Sequence, residues 1–296
     1  MNGVGELFGR SVDAVLRRPR TALVPLMVDV VWLLVGTALF LTLASVTILF
    51  PQGYRLPTFP VAVPHALPTV GDVMGPTPSS EIHLFGSGAI AAATLLILVG
   101  IPLLAYAEAG FLGVLRAVYL ARHDPLEEGR HVDAWSRIRE AFASSGRRHF
   151  RTFVVLRVIQ AGLALVALAL PVAFPRVPNT GLAILAVDVL LLYAPYAAVE
   201  TKRGSIAAMR ESVQLVSDHL ATTLVALLFG FLLTGGIGYV AEQAVRWLGV
   251  YTPFVAAVVY APVGTLLALF LYRVYLSFYP QDILPGSVPA PHVAPA

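Results

Sequence analysis

The chain has 296 residues, of which 57% are apolar and only 12% charged, with a mean hydropathy of +0.78. Soluble domains carry about a quarter charged residues, so a protein that stays in solution without lipid or detergent is excluded. With no Cys, disulfides, thiolate zinc sites and Cys nucleophiles are excluded too. The net charge of +3 does not point to nucleic acid, because the arginines gather in connectors beside apolar runs, where they act as topology signals.

Six apolar stretches are each long enough to supply the roughly 20 residues a hydrocarbon core demands. They are Ala22 to Phe50, Gly88 to Ala107, Thr152 to Phe174, Gly181 to Val199, Thr222 to Ala241 and Pro253 to Tyr272. The fold class this predicts is all-α, a polytopic membrane bundle forming one domain over residues 1–280. The first apolar run is far longer than a signal peptide's core, so it is expected to be retained as an anchor. Residues 1–20, 121–151 and 200–220 carry apolar side chains at helical spacing: Phe8, Val12 and Val15; Val132, Trp135, Ile138 and Phe142; Ile206, Met209, Val213, Val216 and Leu220. Their other faces are rich in arginine, the pattern of amphipathic helices lying flat in a membrane interface.

The loop over 51–84 holds seven prolines and little periodicity, which predicts an extended extracytoplasmic segment. The tail over 281–296 has the same character and is expected to be disordered. The turn PRVPNT is short enough to make spans three and four an antiparallel hairpin.

With the N-terminus inside, one side of the spans holds Arg10, Arg17, Arg18, Arg20, Arg122, Arg130, Arg137, Arg139, Arg147, Arg148, Arg151, Lys202, Arg203 and Arg210. The other side holds Arg55, Arg176 and Arg246. Such a bias predicts a multi-pass protein of a prokaryotic cytoplasmic membrane with both termini cytoplasmic.

The segments SVDAVLRRPRTALV, EAFASSGRRHFRTFVV and ESVQLVSDHLATTLVA each lead through a Thr into a span. Pro102 before Glu108, Pro195 before Glu200 and Pro262 before Arg273 mark the inner ends of the even spans, the third copy carrying a base in place of an acid. These echoes predict a threefold repeat of interfacial helix plus hairpin. Together with VDAWSRIREAFASSGRRHF, the stretch YAPYAAVETKRGSIAAMRESVQLVSDHL resembles a group of six-span prokaryotic membrane proteins that includes the membrane domain fused to some glycerophosphodiester phosphodiesterases. The resemblance covers roughly Leu7 to Tyr279. It implies a membrane module without its own chemistry, since the phosphodiesterase activity of those fusions resides in a separate soluble domain.

Ionisable groups within spans are default site candidates because burying them costs several kcal/mol unless they are paired or hydrated. Asp29 lies roughly 10 Å into the first span, within reach of Arg157 in the third. A solute or proton site is one reading of that pair, and a structural ion pair is the plainer one. Asp188 has no obvious partner in the sequence. Glu108 and Glu200 close the second and fourth spans beside Arg116, Lys202 and Arg203, and read as interfacial salt bridges, with Arg273 at the matching end of the sixth span. Glu242 and Arg246 stand four apart beside Trp247, an i, i+4 pair in an aromatic belt.

HDPLEEGRH concentrates His123, Asp124, Glu127, Glu128 and His131, but the spacing fits no zinc or calcium template. HExxH, GxxxxGK[ST], GxSxG and GxGxxG are all absent, and TGGIG in the fifth span reads as small residues that permit close packing. No catalytic residue, metal or cofactor is therefore expected.

Three functions remain open. The first is a non-enzymatic module whose face of Trp135, Arg137, Arg139, Arg147, Arg148 and Arg151, with Phe142 and Phe150, inserts into the interface and meets anionic headgroups, a protein partner or a second copy. The second is a transporter subunit using Asp29 and Asp188. The third is a lipid-acting enzyme built on HDPLEEGRH.

Overall fold

A computed structural model describes the backbone of residues 3–31, 87–120, 134–173, 180–201, 204–248 and 252–279, and among these every regular element is helical. The 51–84 loop, the HDPLEEGRH loop, the 281–296 tail and most of the first predicted span lie outside the described residues.

Helix α1 (Val4–Arg17) buries Leu7, Ser11 and Val15, one residue per turn, and keeps its charges outside. It ends at Arg18, which has left helical geometry at φ −134° and ψ 60°. The cause is Pro19, whose ring disfavours the α conformation in the residue before it. A 3-10 turn, Pro19–Ala22, leads into a helical run over 23–31.

Helix α2 (Ser87–Leu115) continues past the predicted end of the second span at Ala107 and closes in a π-turn, Arg116–Leu120. Helix α3 (Ala134–Ala173) has 40 residues, about 60 Å at 1.5 Å per residue. It is unbroken where the sequence predicts an interfacial helix giving way to a span. The reason lies in its partner. Gly110 and Gly113 let α3 approach so closely that an added Cβ would meet Phe142 at 2.6 Å and Ser145 at 2.1 Å, while one on Gly146 would meet the Tyr106 ring at 2.9 Å. Ser145 Oγ donates to Ala109 O at 2.7 Å in the same seam.

Helix α4 (Thr180–Leu190) and helix α5 (Ala194–Glu200) share the fourth predicted span, interrupted by a turn at 191–193. Pro195 lacks an N–H and crowds the carbonyl of Leu191, so the helix gives way there. Pro102 and Pro262 lie inside continuous helices instead. Helix α6 (Ser205–Asp218) buries Ser205, Ala208, Ser212, Leu215 and Val216. His219 follows at φ −128° and ψ 37°, after which the chain turns by 99° into helix α7 (Leu220–Leu248). Helix α8 (Thr252–Ser277) closes the bundle against α1 and α7.

Among the described residues two segments, Gly100–Tyr119 and Ala257–Ser277, are long and apolar enough to cross a membrane, and the bent pair of α6 with 220–236 makes a third if counted as one span. The large apolar side chains left exposed are concentrated on particular segments: Met27 and Val31 after the 3-10 turn, Val155, Val158 and Val166 on α3, Leu224, Leu228 and Phe231 on α7, and Val255 and Val258 on α8.

Candidate functional site: a buried polar network

Where the helix ends converge, the interior is not purely apolar. Glu108 on α2 and Arg157 on α3 are both fully buried. Arg157 donates through Nε to Glu108 Oε2 at 2.8 Å and through Nη1 to Gln160 Oε1 at 2.8 Å, and a second guanidinium nitrogen closes on the same carboxylate. A buried charge is tolerated only when paired in this way. The sequence sets Glu108 and Glu200 beside Arg116 and offers Arg157 to Asp29. The structure pairs Arg157 with Glu108 and Arg116 with Glu200 at 3.0 Å, and Arg157 has an interaction besides these. Asp29 is itself buried and engaged.

Glu200 also accepts a hydrogen bond from the Tyr272 hydroxyl, which ties α5 to α8. The Tyr196 hydroxyl donates to Ala268 O at 3.3 Å, and its ring lies 5.0 Å from that of Tyr272. Glu211 on α6 accepts from Tyr275 at 2.9 Å and Tyr279 at 2.6 Å. These tyrosines were missed in the sequence, although Tyr193 and Tyr196, and Tyr272, Tyr275 and Tyr279, recur at i, i+3 and i+7, the spacing of one helix face.

The break in the fourth predicted span is repaired from α6. Ser212 Oγ donates to Leu190 O at 2.8 Å and accepts from the Tyr193 N–H at 3.0 Å, so one hydroxyl satisfies both groups that the turn releases. Ser11 holds the matching place on α1 but only bonds back to Leu7 O at 2.8 Å. A Thr–Tyr hydroxyl pair stands after α1 and another after α6, Thr21 with Tyr119 and Thr223 with Tyr193.

Asp188, half-buried on α4, has no hydrogen bond or ion pair among the described residues. Arg273 is half-buried on α8, within electrostatic reach of Arg10, Asp13 and Tyr119. Glu242 and Arg246 share a face of α7 by their spacing, and their side chains lie outside the described residues. Among the described residues no three of His, Cys, Asp and Glu converge as a metal site.

The basic stretch of α3 is two-sided. Arg137, Arg139, Arg147, Arg148 and Arg151 are exposed. Its aromatic residues face inward: Phe142 and Phe150 stand edge-on to Tyr106 at 5.8 and 6.4 Å, and Trp135 packs on the core. The expected insertion of these three rings into lipid is thereby corrected, because α2 occupies that face.

Chemically, the network presents carboxylates already closed by arginine or tyrosine, an arrangement that fixes helices to one another. Fold and site together define an all-helical chain with two or three helices able to cross a membrane. No family model, no curated protein and no solved structure matches it.

Proposed function

We propose that this chain is a non-enzymatic integral membrane module, a helical scaffold of six spans in a prokaryotic cytoplasmic membrane, with both termini cytoplasmic and its arginines turned to the inner leaflet. On this reading it is a relative of the six-span group whose members include the membrane domain of phosphodiesterase fusions. Lipid headgroups, a protein partner or a second copy would be its contacts, and no cofactor takes part.

The observation that carries the reading is the division of the molecule between closed buried charges and open apolar surface. Glu108, Arg157 and Glu200 are consumed in structural bonds, and the exposed valines, leucines and phenylalanines of 23–31, α3, α7 and α8 need a solvent other than water. The proposed repeat draws support, in its first and third units, from the shared Thr–Tyr closures and the parallel positions of Ser11 and Ser212. In alkaline carbonate the chain should remain with the membrane pellet and leave it only with detergent. Recovery as a monodisperse monomer without detergent would contradict the proposal.

A transport role has one specific observation in its favour. Asp188 lies without a partner among the described residues, directly before a broken helix, and broken helices flank the sites of many transporters. Uptake by proteoliposomes that disappears in Asp188→Asn would favour that reading, and unchanged uptake would remove Asp188 as its site.

A further inference from the structure

Every arginine face on this molecule is not alike. On α1, Arg10 bonds Glu6, and Arg17 bonds Asp13 at 2.9 Å, so two of its cations are already answered. On α3, Arg147, Arg148 and Arg151 are exposed and have no acidic partner among the described residues. At about 100° per residue these three share an arc of about 100°, roughly opposite Ile138, Ser145 and Leu156, which are turned toward the interior.

The same arc continues along the helix into Val155 and Val158, which are 44% and 53% exposed. One stripe therefore changes from three open cations to open aliphatic side chains within a turn and a half. Arg147 to Arg151 covers about 6 Å of helix, the depth of one headgroup layer, while the 22 residues from 152 to 173 cover about 33 Å, the thickness of a hydrocarbon core. Arg137 and Arg139 stand about 18–21 Å farther from Val155's turn than Arg151 does, beyond the headgroups.

We infer that Arg147, Arg148 and Arg151 form a docking site for the phosphate headgroup of an anionic phospholipid, whose acyl chains lie along Val155 and Val158. The inference rests on the membrane reading above and goes further in choosing lipid over a protein partner for this face. The amino-terminal part of α3 then stands off the membrane against α2, and its Arg137 and Arg139 contribute little. Three open guanidinium groups supply forks for phosphate oxygens, and Glu140, the exposed acid on the same arc two turns back, forms no ion pair with them.

The test uses the full chain reconstituted in phosphatidylcholine vesicles that contain spin-labelled phosphatidylglycerol or spin-labelled phosphatidylcholine, with the motionally restricted fraction read by electron paramagnetic resonance. Wild type should prefer the anionic probe by about fivefold for each arginine engaged. The preference should collapse in the Arg147→Gln/Arg148→Gln/Arg151→Gln variant and survive in Arg137→Gln/Arg139→Gln. In wild type alone it should also fade as salt is raised, since the site is open to screening. Equal restriction of the two probes by wild type at low salt would overturn the proposal, as would a preference that follows Arg137 and Arg139. A chain that fails to insert into the vesicles at all would overturn the membrane reading itself, a different result from insertion without selectivity.

Discussion

In α3 an arginine-rich amphipathic stretch passes into an apolar one without interruption, whereas between α6 and α7 a similar change of composition coincides with a 99° turn at His219. The two regions differ in what covers them. Along α3 the longest seam is with α2, and α4, α5 and α6 also pack on it. Gly110 and Gly113 receive its first half and Glu108 binds Arg157 in its second. One long seam with α2 accompanies one unbroken helix. Helix α6 instead lays Ser212 against the gap after α4, while α7 packs on α8, where a Cβ added to Gly230 would meet Leu267 at 3.2 Å. Two partners in different directions demand a corner, and His219 stacks on Phe278 at 4.3 Å to hold it. Amphipathicity alone therefore does not decide whether a helix lies flat.

The comparison breaks most severely at the buried charge. Arg157→Met strands Glu108 in the α2–α3 seam and should cost about 3–5 kcal/mol, measured as the shift in an unfolding titration in detergent. Glu108→Leu added to Arg157→Met should recover part of that loss, because the Glu108 carboxylate is then no longer stranded.

Packing in the same seam gives the next effect. Gly113→Ala pushes a methyl group into Ser145 and should destabilise by about 1–3 kcal/mol. Pairing it with Ser145→Gly should restore most of the loss. No change in Gly113→Ala would mean that α2 and α3 are not so closely applied.

The corner offers the finest contrast. Ser212→Ala leaves Leu190 O and the Tyr193 N–H without their partner and should cost about 1–2 kcal/mol. Ser11→Ala loses only a bond to a carbonyl within its own helix, with an expected change under about 0.5 kcal/mol. Equal losses in the two variants would remove the assigned role of Ser212 at the break.

Much of this architecture was legible in the residues. The apolar period of Phe8, Val12 and Val15 marks α1 as a helix, although of these only Val15 is buried, with Leu7 and Ser11 beside it, and Arg157 in an apolar run demanded a partner. That Glu108 would be one of its partners was not legible, because choosing among acids on other helices requires the register between helices, which no local pattern encodes. Nor was the continuity of α3, since a flat helix and a standing one share the same apolar period and differ only in their neighbours. The tyrosine bonds escaped because an aromatic residue at helical spacing reads as core until its hydroxyl is seen to reach Glu200 or Glu211.

The central claim is that lipid surrounds this bundle with its arginine-bearing ends on the cytoplasmic side. The chain has no cysteine, so single cysteines placed at Ser144 and Ser217, and in the predicted outer loop at Ser79, can each be probed with a membrane-impermeant maleimide. The account predicts that Ser79→Cys is labelled in intact cells and that Ser144→Cys and Ser217→Cys are labelled only after the membrane is opened. Labelling of all three from the same side would contradict it.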